Sequence, residues 1–401
     1  MNRLEEEKLI LRCFEYVEQK DTSRTNTATT LSTERYTHEG QFESEINALF
    51  YPLPSAIMHR SELPNNGTAK RVKTVIGDVI VSRDDQGSFH VFRNVCRHRA
   101  AELLIDDEIS EKSLVCPYHA WRYDTQGNLI SVPAESTCFD DLDKSENGLI
   151  QIASAEYEGM IWMCVNSKNN VDAQTLVEEL LSPVKSMLDW MSLESLEAFK
   201  SVAKTWRCNW KILAEGGMET YHFAKAHRKT IAPFFTTNTA VIDKLGPHHR
   251  VVIPSVAVAS AQKKELSSVS LRDFTHTLLS LVPQSNFLIQ EKHVDWIRVI
   301  PISPTESELT ITSLIPESVE GLTEAQKNHW KTNFSITLTT LDEDFELGES
   351  IQRSMNSGAI NQINLGRSEG ALKAFNDYVD EACQNQIRST LKDRIPATVL
   401  T

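Results

Sequence analysis

Two short pairs of metal-binding residue types constrain the first third of this 401-residue chain more than any other feature. Cys96 and His98 form the first pair, and Cys116 and His119 form the second, with the seventeen residues 99–115 between them. Thiolates and imidazoles are ligands that proteins use to bind iron and zinc. The spacing C-x-H followed by C-x-x-H therefore predicts a metal centre built from two separate loops.

Two kinds of metal centre use two cysteines and two histidines. In a Rieske [2Fe–2S] cluster, two histidines replace two cysteines on one iron, which raises the reduction potential. Structural zinc sites use the same residue types, but they usually place a cysteine pair before a histidine pair. The order here is Cys, His, Cys, His. This order favours the iron–sulfur cluster, with zinc as the alternative.

Composition narrows the class of partner and the compartment. The formal net charge is −14 and the pI about 5.4, which argues against nucleic acid or an anionic membrane surface as a partner. No apolar segment approaches the length of a membrane span, and the first residues lack the layout of a signal peptide. The seven cysteines show no disulfide-scaffold spacing, so we expect a cytoplasmic protein with reduced thiols.

The hydrophobic pattern predicts an α+β chain with four parts, bounded at 1–45, 46–170, 171–197 and 198–401. The first part reads as a helix and a polar arm. The second is a β domain, in which turns at 84–87 and 124–127 predict hairpins, each beside one ligand pair. The third is a connector helix with apolar residues at helical spacing. The last part combines a strand-rich middle at 251–315 with two long helices at 323–355 and 369–392.

A second group of candidate ligands lies in the last part. His222 and His227 are five residues apart, which is about 140° on a regular helix, so they converge only if the helix ends between them. Glu219 precedes His222 by three residues and would share its helix face. Two histidines and one carboxylate form the facial triad of non-haem Fe(II) oxygenases, which leaves coordination positions open for O₂.

The carboxylate of this second site has several candidates. Glu219 is near in sequence, and an acidic helical segment further along offers others. On a helical projection, Asp344 lies along the inner edge of the apolar stripe of that segment. Glu343 and Glu346 are predicted to point away. Asp342, on the other flank of the stripe, stays open as an alternative.

Together these motifs resemble the catalytic α subunit of Rieske non-haem iron oxygenases, also called ring-hydroxylating oxygenases. The resemblance covers about 43–382 and includes Asn-Trp-Lys at 209–211 besides the candidate ligands. It implies a Rieske [2Fe–2S] domain followed by a helix-grip (Bet v1/START-like) domain, in which an antiparallel sheet packs with long C-terminal helices. It assigns the cluster to Cys96, His98, Cys116 and His119. It assigns a mononuclear Fe(II) to His222, His227 and Asp344.

The resemblance also implies an activity and partners. Such a terminal oxygenase uses O₂, and electrons relayed from NAD(P)H, to hydroxylate a small organic substrate, with demethylation as one outcome. The electrons come through a separate reductase or ferredoxin, and this chain has no Gly-rich dinucleotide loop of its own. A cis-dihydroxylating aromatic-ring dioxygenase, which uses the same ligands, is one alternative. A non-catalytic Rieske electron-transfer protein is an alternative of another class.

Glu219 stands where the family has an acid that bridges the two metal sites. That acid accepts hydrogen bonds from an iron histidine, here His222, and from a cluster histidine of a neighbouring subunit, here His119. Catalysis would then require an oligomer, typically a homotrimer. The chain departs from the family at three positions. Gly216 stands where the family commonly has asparagine, and Ala100 and Ala120 stand where it commonly has glycine.

Two further sets of residues are candidates for contacts with partners. Four arginines near the cluster loops are predicted either to dock an acidic electron donor or to hold the loops together: Arg93, Arg97, Arg99 and Arg122. Four phenylalanines are predicted either to line the substrate pocket or to fill the core: Phe223, Phe234, Phe235 and Phe287.

Overall fold

The computed structural model describes residues 1–106, 110–166 and 172–394, and the chain divides into two compact units. The smaller unit is Tyr51–Leu181, and the larger unit joins Met1–Phe50 to Ser182–Thr401. The predicted boundary at 170/171 and the end of the last predicted part lie outside the described residues. No helix in the described ranges combines the length and the apolar character needed to cross a membrane.

The helices and strands have the following bounds. The helices are α1 (Arg3–Gln19), α2 (Glu39–Glu45), α3 (Glu135–Cys138), α4 (Ala173–Leu181), α5 (Lys185–Met191), α6 (Trp210–Glu215), α7 (Phe223–Ala226), α8 (Val258–Ala261), α9 (Glu324–Asn356) and α10 (Gly370–Arg394). The strands are β1 (Thr29–Ser32), β2 (Ser55–His59), β3 (Thr68–Thr74), β4 (Gly77–Arg83), β5 (Phe89–Arg93), β6 (Ser110–Glu111), β7 (Leu114–Val115), β8 (Arg122–Tyr123), β9 (Leu129–Ser131), β10 (Gln151–Tyr157), β11 (Met160–Cys164), β12 (Glu197–Trp206), β13 (Val241–Leu245), β14 (His248–Pro254), β15 (Thr275–Leu281), β16 (Ser285–Ile289), β17 (Val294–Ser303), β18 (Glu306–Ile315) and β19 (Gln362–Leu365).

The smaller unit is built mainly from antiparallel strands. Among its described residues, seven strands form a sheet in the order β2-β11-β10-β5-β4-β3-β6, and β7, β8 and β9 form a second sheet. The predicted hairpins are present, the first between β4 and β5 and the second between β8 and β9. Phe92, Trp121 and Tyr123 form part of a buried cluster with Cys96 and Cys116. The cluster loops are therefore anchored in the core of a β domain, as predicted.

The segment predicted as one connector helix is instead two short helices. α4 ends at Leu181 and α5 begins at Lys185, with a tight turn at Ser182–Val184 between them. Pro183 lies in this turn, and proline lacks the N–H that a helix interior needs and clashes with the preceding turn. The prediction of a continuous helix was therefore wrong at the proline, although Val177, Met187 and Met191 around it are buried.

The larger unit contains the predicted antiparallel sheet and long helices. The sheet has the order β12-β18-β17-β16-β15-β14-β13 among the described strands, and the 33-residue α9 packs against it. Two side-chain contacts tie α9 to the sheet: Thr337 donates to Asp295 of β17 at 2.8 Å, and Lys204 of β12 pairs with Asp342 at 2.8 Å. A long helix held on an antiparallel sheet is the helix-grip arrangement, so the fold prediction is confirmed.

The first fifty residues belong to this larger unit. β1 pairs with β19, and Arg12 of α1 forms an ion pair with Asp243 of β13 at 2.8 Å. Further along the same segment, Glu45 and Lys211 form an ion pair at 2.6 Å with both side chains fully buried. Because an unpaired buried charge is strongly destabilising, this pair specifies where the N-terminal segment docks.

Candidate metal centres

The two predicted cluster loops share one backbone design. In each loop the cysteine N–H donates to the carbonyl of the residue five positions later, Ala101 or Trp121, at 2.8 Å. The alanine four positions after each cysteine donates back to the cysteine carbonyl. Ala100 and Ala120, which make these bonds, have φ angles of 59° and 57°. Glycine adopts this conformation without steric cost, whereas the Cβ of an alanine makes it strained.

These loops bring the four predicted cluster ligands together. Cys96 and Cys116 are both 2% exposed, and the imidazole rings of His98 and His119 lie 4.6 Å apart. In the described part of the chain, the buried Nδ1 atoms of both histidines have no hydrogen-bond partner. Burial, reinforced by the nearby His119, lowers the pKa of His98, which favours the neutral form that binds metal. Two buried thiols and two unsatisfied imidazole nitrogens fit a Rieske cluster.

Tyr123 adds a hydrogen bond at the cluster position that sequence reasoning missed. Its hydroxyl accepts from the Arg97 N–H at 3.1 Å and lies 3.5 Å from Sγ of Cys96. Burial and the neighbouring thiol raise the pKa of Tyr123, so the hydroxyl keeps a proton to donate to a Cys96 thiolate. Hydrogen bonds to cluster sulfurs help to set the reduction potential. Nothing in the spacing of the ligand pairs points to this tyrosine.

The four arginines near the loops divide into two groups. Arg93 is partly buried and donates to the carbonyl of Ile76 in the turn between β3 and β4 at 3.1 Å, so it stabilises that turn rather than presenting charge. Arg97, Arg99 and Arg122 are exposed. The guanidinium of Arg99 lies 5.2 Å from the ring centre of the exposed Tyr118 and donates to its hydroxyl at 3.1 Å.

The two histidines of the second site converge because the helix between them is a single turn. α7 begins just after His222 and ends just before His227. The two Nε2 atoms lie 3.2 Å apart. Asp344 of α9 places Oδ1 at 2.9 Å from Nε2 of His227 and 3.5 Å from Nε2 of His222. One ligand atom from each residue therefore lies within 4.8 Å of the others.

A separate carboxylate holds the outer nitrogen of each histidine. Glu219 accepts from Nδ1 of His222, and Glu343 lies 2.9 Å from Nδ1 of His227. Thr230 donates to Glu343 at 2.6 Å and fixes that carboxylate in turn. With both Nδ1 protons committed, the two Nε2 lone pairs face the Asp344 carboxylate. Such electron-rich atoms repel one another unless a cation lies between them, as in carboxylate–histidine–metal sites.

The electrostatics of His227 agree with this interpretation. Burial alone would lower the pKa of the imidazole, but the hydrogen bonds and charges of Asp344 and Glu343 outweigh it and raise the pKa. The site therefore attracts positive charge, and its donor set fits the facial triad that binds Fe(II).

The structure decides three predictions about the acidic residues. The prediction that Glu343 points away was wrong, because its longer side chain reaches from the flank of α9 to His227. Glu219 shares no helix with His222, since α6 ends at Glu215 and an irregular segment follows, yet the contact forms. Asp342 lies on the other flank and pairs with Lys204 on the surface, so the structure brings Asp344 to the histidines instead.

His227 and Asp344 also border a cavity of about 120 Å³ between the sheet and α9. Alternate residues of neighbouring strands point into it, as the two-residue period of a strand requires: Ile253, His276, Leu278, Asn286, Leu288 and Ile297. Gly217 keeps this space open, because a Cβ there would lie 2.8 Å from Leu278.

The four candidate phenylalanines have different fates. Phe223 and Phe235 line the cavity, and their rings make an edge contact at 5.6 Å. Phe287 is fully buried against Trp296, so it fills the core, which was the alternative prediction. Phe234 is 61% exposed and does neither. The alternation of strand residues explains Phe287, which points to the opposite face from Asn286 and Leu288. Phe345 of α9 lines the cavity and was missed.

A second, larger depression lies against the same triad. It has a volume of about 570 Å³, and Glu219, His222 and Asp344 contribute to its wall. Glu215 also lines it, and burial raises the pKa of this carboxyl to about 7. The triad therefore has a cavity on one side, while the outer carboxylate Glu219 faces a separate depression.

Two protein-family models match the chain. The Rieske [2Fe-2S] domain matches residues 54–152, and the ring hydroxylating alpha subunit (catalytic domain) matches residues 193–385.

Individual proteins give two kinds of match. The chain is 32% identical over 202 residues to the anthranilate 1,2-dioxygenase large subunit of Acinetobacter baylyi. This alignment covers 49% of this chain but only 42% of that relative. It is 27% identical over 340 residues to the carnitine monooxygenase oxygenase subunit of Acinetobacter baumannii, covering 80% of this chain and 84% of the relative. The crystal structure of the quaternary ammonium Rieske monooxygenase CntA in complex with L-carnitine has the same fold, with a TM-score of 0.73 and 20% identity over 92% of this chain and 97% of that one.

Proposed function

Because the chain belongs to the Rieske non-haem iron oxygenases, we propose that it is a terminal oxygenase component that hydroxylates a small organic substrate. The reaction uses O₂ and electrons relayed from NAD(P)H through a separate reductase or ferredoxin. The observation that carries this proposal is the position of the triad: His227 and Asp344 form part of the wall of the cavity. A three-residue site leaves coordination positions open, and here the ligands border a space where a substrate fits.

Each metal group has its own residues in this proposal. Cys96, His98, Cys116 and His119 hold the cluster. His222, His227 and Asp344 hold the Fe(II), which supplies the chemistry of O₂ activation when bound. Glu219 and Glu343 fix the tautomer and orientation of the two iron histidines, and the apolar cavity walls exclude water from the substrate.

The first test separates an oxygenase from a non-catalytic Rieske carrier or a zinc protein. Purified protein should contain about three irons per chain, and dithionite should produce the EPR signal of a reduced Rieske cluster. His222→Ala should lower the iron content to about two while the cluster signal stays. One zinc per chain without an EPR signal would contradict the proposal. Unchanged iron in the variant would favour an electron carrier.

Hydroxylation is favoured over cis-dihydroxylation because a relative that matches along most of its length is a monooxygenase. The 32% identity to a dioxygenase subunit supports the second candidate, in which an aromatic ring receives both oxygen atoms. Turnover under ¹⁸O₂ with product mass spectrometry separates them. One labelled oxygen per product indicates hydroxylation, and two indicate dihydroxylation.

We also propose that electrons enter through the exposed arginines of the cluster loops. Arg97, Arg99 and Arg122 form a basic surface in a chain with a net charge of −14, which suits an acidic electron donor. The rate of cluster reduction by the donor should then fall as salt rises. A flat salt dependence would indicate that these arginines only stabilise the loops.

We propose a cytoplasmic homotrimer in which Glu219 of one subunit accepts a hydrogen bond from His119 of the next. The side chain of Glu219 is 14% exposed and lines the larger depression, which gives a neighbour access to it. A mixture of Cys116→Ser subunits, without cluster, and His222→Ala subunits, without mononuclear iron, tests this arrangement. Reassembled mixtures should recover turnover that neither variant has alone. No recovery in verified mixed oligomers would show that electrons stay within one subunit.

A further inference from the structure

The floor of the cavity carries three polar side chains that the proposed chemistry does not use. His276 of β15, Asn286 of β16 and Gln290, just after β16, alternate with leucines along the two strands and line the cavity. The described lining residues include no lysine and no arginine. The polar groups of an otherwise apolar pocket fix the orientation and the class of the ligand. Their hydrogen-bonding capacity therefore defines what the cavity accepts.

Both amides commit their NH₂ groups to acceptors of the protein. The NH₂ group of Gln290 donates to Oδ2 of Asp295 at 2.8 Å, and that of Asn286 donates to the carbonyl of Ala214 at 3.3 Å. Each partner is an acceptor, so the amide nitrogens are assigned by chemistry and the oxygens face away from them. The amide oxygens have no donor among the described residues. A ligand with an N–H or O–H group supplies what they lack.

A buried carboxyl group lies directly behind this polar floor. Asp295 is fully buried and accepts hydrogen bonds from Gln290 and Thr337, both of which line the cavity. Its other oxygen, Oδ1, has no hydrogen-bond partner in the described part of the chain. His293 places Nε2 3.7 Å from Oδ2 of this carboxyl group. An anionic ligand at the floor would meet acceptor oxygens and the Asp295 carboxyl group, and no lysine or arginine is among the described lining residues to offset them.

His276 completes the polar set as a neutral group. Its ring contacts Phe235 at 4.8 Å and has no hydrogen-bond partner among the described residues. Burial, with a smaller contribution from His293, lowers the pKa of His276 to about 4. The imidazole therefore carries no charge at neutral pH and can donate or accept one hydrogen bond.

We propose that the cavity selects a small substrate, neutral or protonated, that carries an N–H or O–H donor, and that it rejects carboxylates. Asn286, Gln290 and His276 are the specificity-determining residues, and a donor of the substrate binds an amide oxygen of Asn286 or Gln290. The volume of about 120 Å³ is comparable to the roughly 150 Å³ engineered cavity that binds benzene, so the substrate has the size of one ring. This inference rests on the proposed function only in placing the substrate beside the triad.

Four one-ring probes test the proposal by calorimetry on anaerobic, Fe(II)-loaded protein. Benzyl alcohol and benzylamine each carry a donor, benzaldehyde has the same ring with only an acceptor, and benzoate is the anion. The alcohol and the amine should bind about tenfold more tightly than the aldehyde, the scale of one hydrogen bond. Benzoate should bind most weakly. Equal affinity for benzoate and benzyl alcohol would overturn the proposal.

A variant assigns this selectivity to the cavity floor. Asn286→Leu should reduce the preference for the alcohol over the aldehyde to about twofold, because one of the two acceptor oxygens is lost. Phe234→Leu changes an exposed residue outside the cavity and should keep the tenfold ratio. An unchanged ratio in a folded Asn286→Leu protein would contradict the assignment. If that variant does not fold, the ranking of the four probes on the unaltered protein still decides.

The EPR signal of the ferrous site with nitric oxide separates this inference from the proposed function. If the protein binds mononuclear iron, nitric oxide gives a signal that benzyl alcohol perturbs and benzoate does not. No nitrosyl signal would remove the proposed function, whereas the probe ranking can still be measured on metal-free protein. A signal that benzoate perturbs as strongly as benzyl alcohol would remove the inference alone.

Discussion

The two candidate metal centres use histidine in opposite ways. At the cluster loops, the Nδ1 atoms of His98 and His119 are buried and have no hydrogen-bond partner among the described residues. At the triad, carboxylates hold the Nδ1 atoms of His222 and His227, and the Nε2 atoms converge. The first pair depends on short loops with internal backbone hydrogen bonds. The second depends on side chains from distant parts of the chain.

This difference shows that the two sites need different amounts of support from surrounding side chains. The cluster ligands come as pairs within four residues, so two tight loops bring them together with few outside contacts. The mononuclear site joins a single-turn helix to α9 across more than a hundred residues. It therefore needs Glu219 and Glu343 to orient its imidazoles.

Removing a ligand should produce the largest effect and should affect only one site. Asp344→Ala leaves two histidines without their carboxylate, so we expect loss of the mononuclear iron and turnover at background. The cluster EPR signal should be unchanged, because the cluster ligands lie on other loops. Asp342→Ala removes a neighbouring surface carboxylate and should keep the cluster, the mononuclear iron and turnover. A cluster lost together with the mononuclear iron would show that the two sites depend on each other.

Weakening the support should have a smaller effect at the same site. Glu343→Gln keeps the shape of the side chain but removes the charge beside His227, and we expect mononuclear iron affinity to fall about 10- to 100-fold. Chelator competition measures this loss. Glu346→Gln, on the exposed side of α9, is the matched control. Equal iron retention in both variants would mean that the Glu343 contact contributes no support.

The cluster should respond to a change in potential rather than in metal content. Tyr123→Phe removes a hydroxyl that can donate to Cys96, and one hydrogen bond of about 0.5–1.5 kcal/mol corresponds to roughly 20–60 mV for one electron. We expect the cluster potential to fall by this amount, measured by redox titration followed by EPR. Tyr118→Phe, which changes an exposed ring, is the control. An unchanged cluster potential would show that the Tyr123 hydroxyl does not donate to Cys96.

The smallest effect concerns the backbone of the cluster loops. Ala100 and Ala120 adopt positive φ, which costs an L-residue about 1 kcal/mol or more compared with glycine. We expect Ala100→Gly and Ala120→Gly each to stabilise the smaller unit by about 0.5–1 kcal/mol, after the added freedom of the unfolded chain is subtracted. Thermal unfolding followed by cluster absorbance measures this change. A lower midpoint would show that the alanine methyl groups make stabilising contacts.

The same comparison explains what sequence reasoning could predict. The cluster ligands are local, so their spacing alone indicated the site and the hairpins beside it. Helical periodicity favoured Asp344, on the inner edge of α9, but left Asp342 as an alternative. Glu343 did not, because periodicity describes where a Cβ points and not how far a glutamate reaches. Tyr123 was missed since its contact depends on how the second hairpin packs on the first loop.

Pocket residues were the least predictable. Phe287 and Asn286 are adjacent in sequence, but only Asn286 faces the cavity, and this choice depends on the register of β16 against its neighbours. The residues that carry the proposed selectivity are common polar side chains without a motif. Their role can be inferred only from the structure, which shows the hydrogen-bond acceptors of the two amides.

The docking of the first fifty residues has a consequence for the order of events during synthesis. β1 pairs with β19, and Glu45 pairs with the buried Lys211, yet the whole smaller unit lies between these partners in the chain. At about 5–20 residues per second, β1 leaves the ribosome roughly 15–60 s before β19 exists. The cluster-binding unit is complete during this interval, while the N-terminal segment still lacks its partners. The larger unit therefore completes its fold last, because its N-terminal segment must wait for partners near the C-terminus.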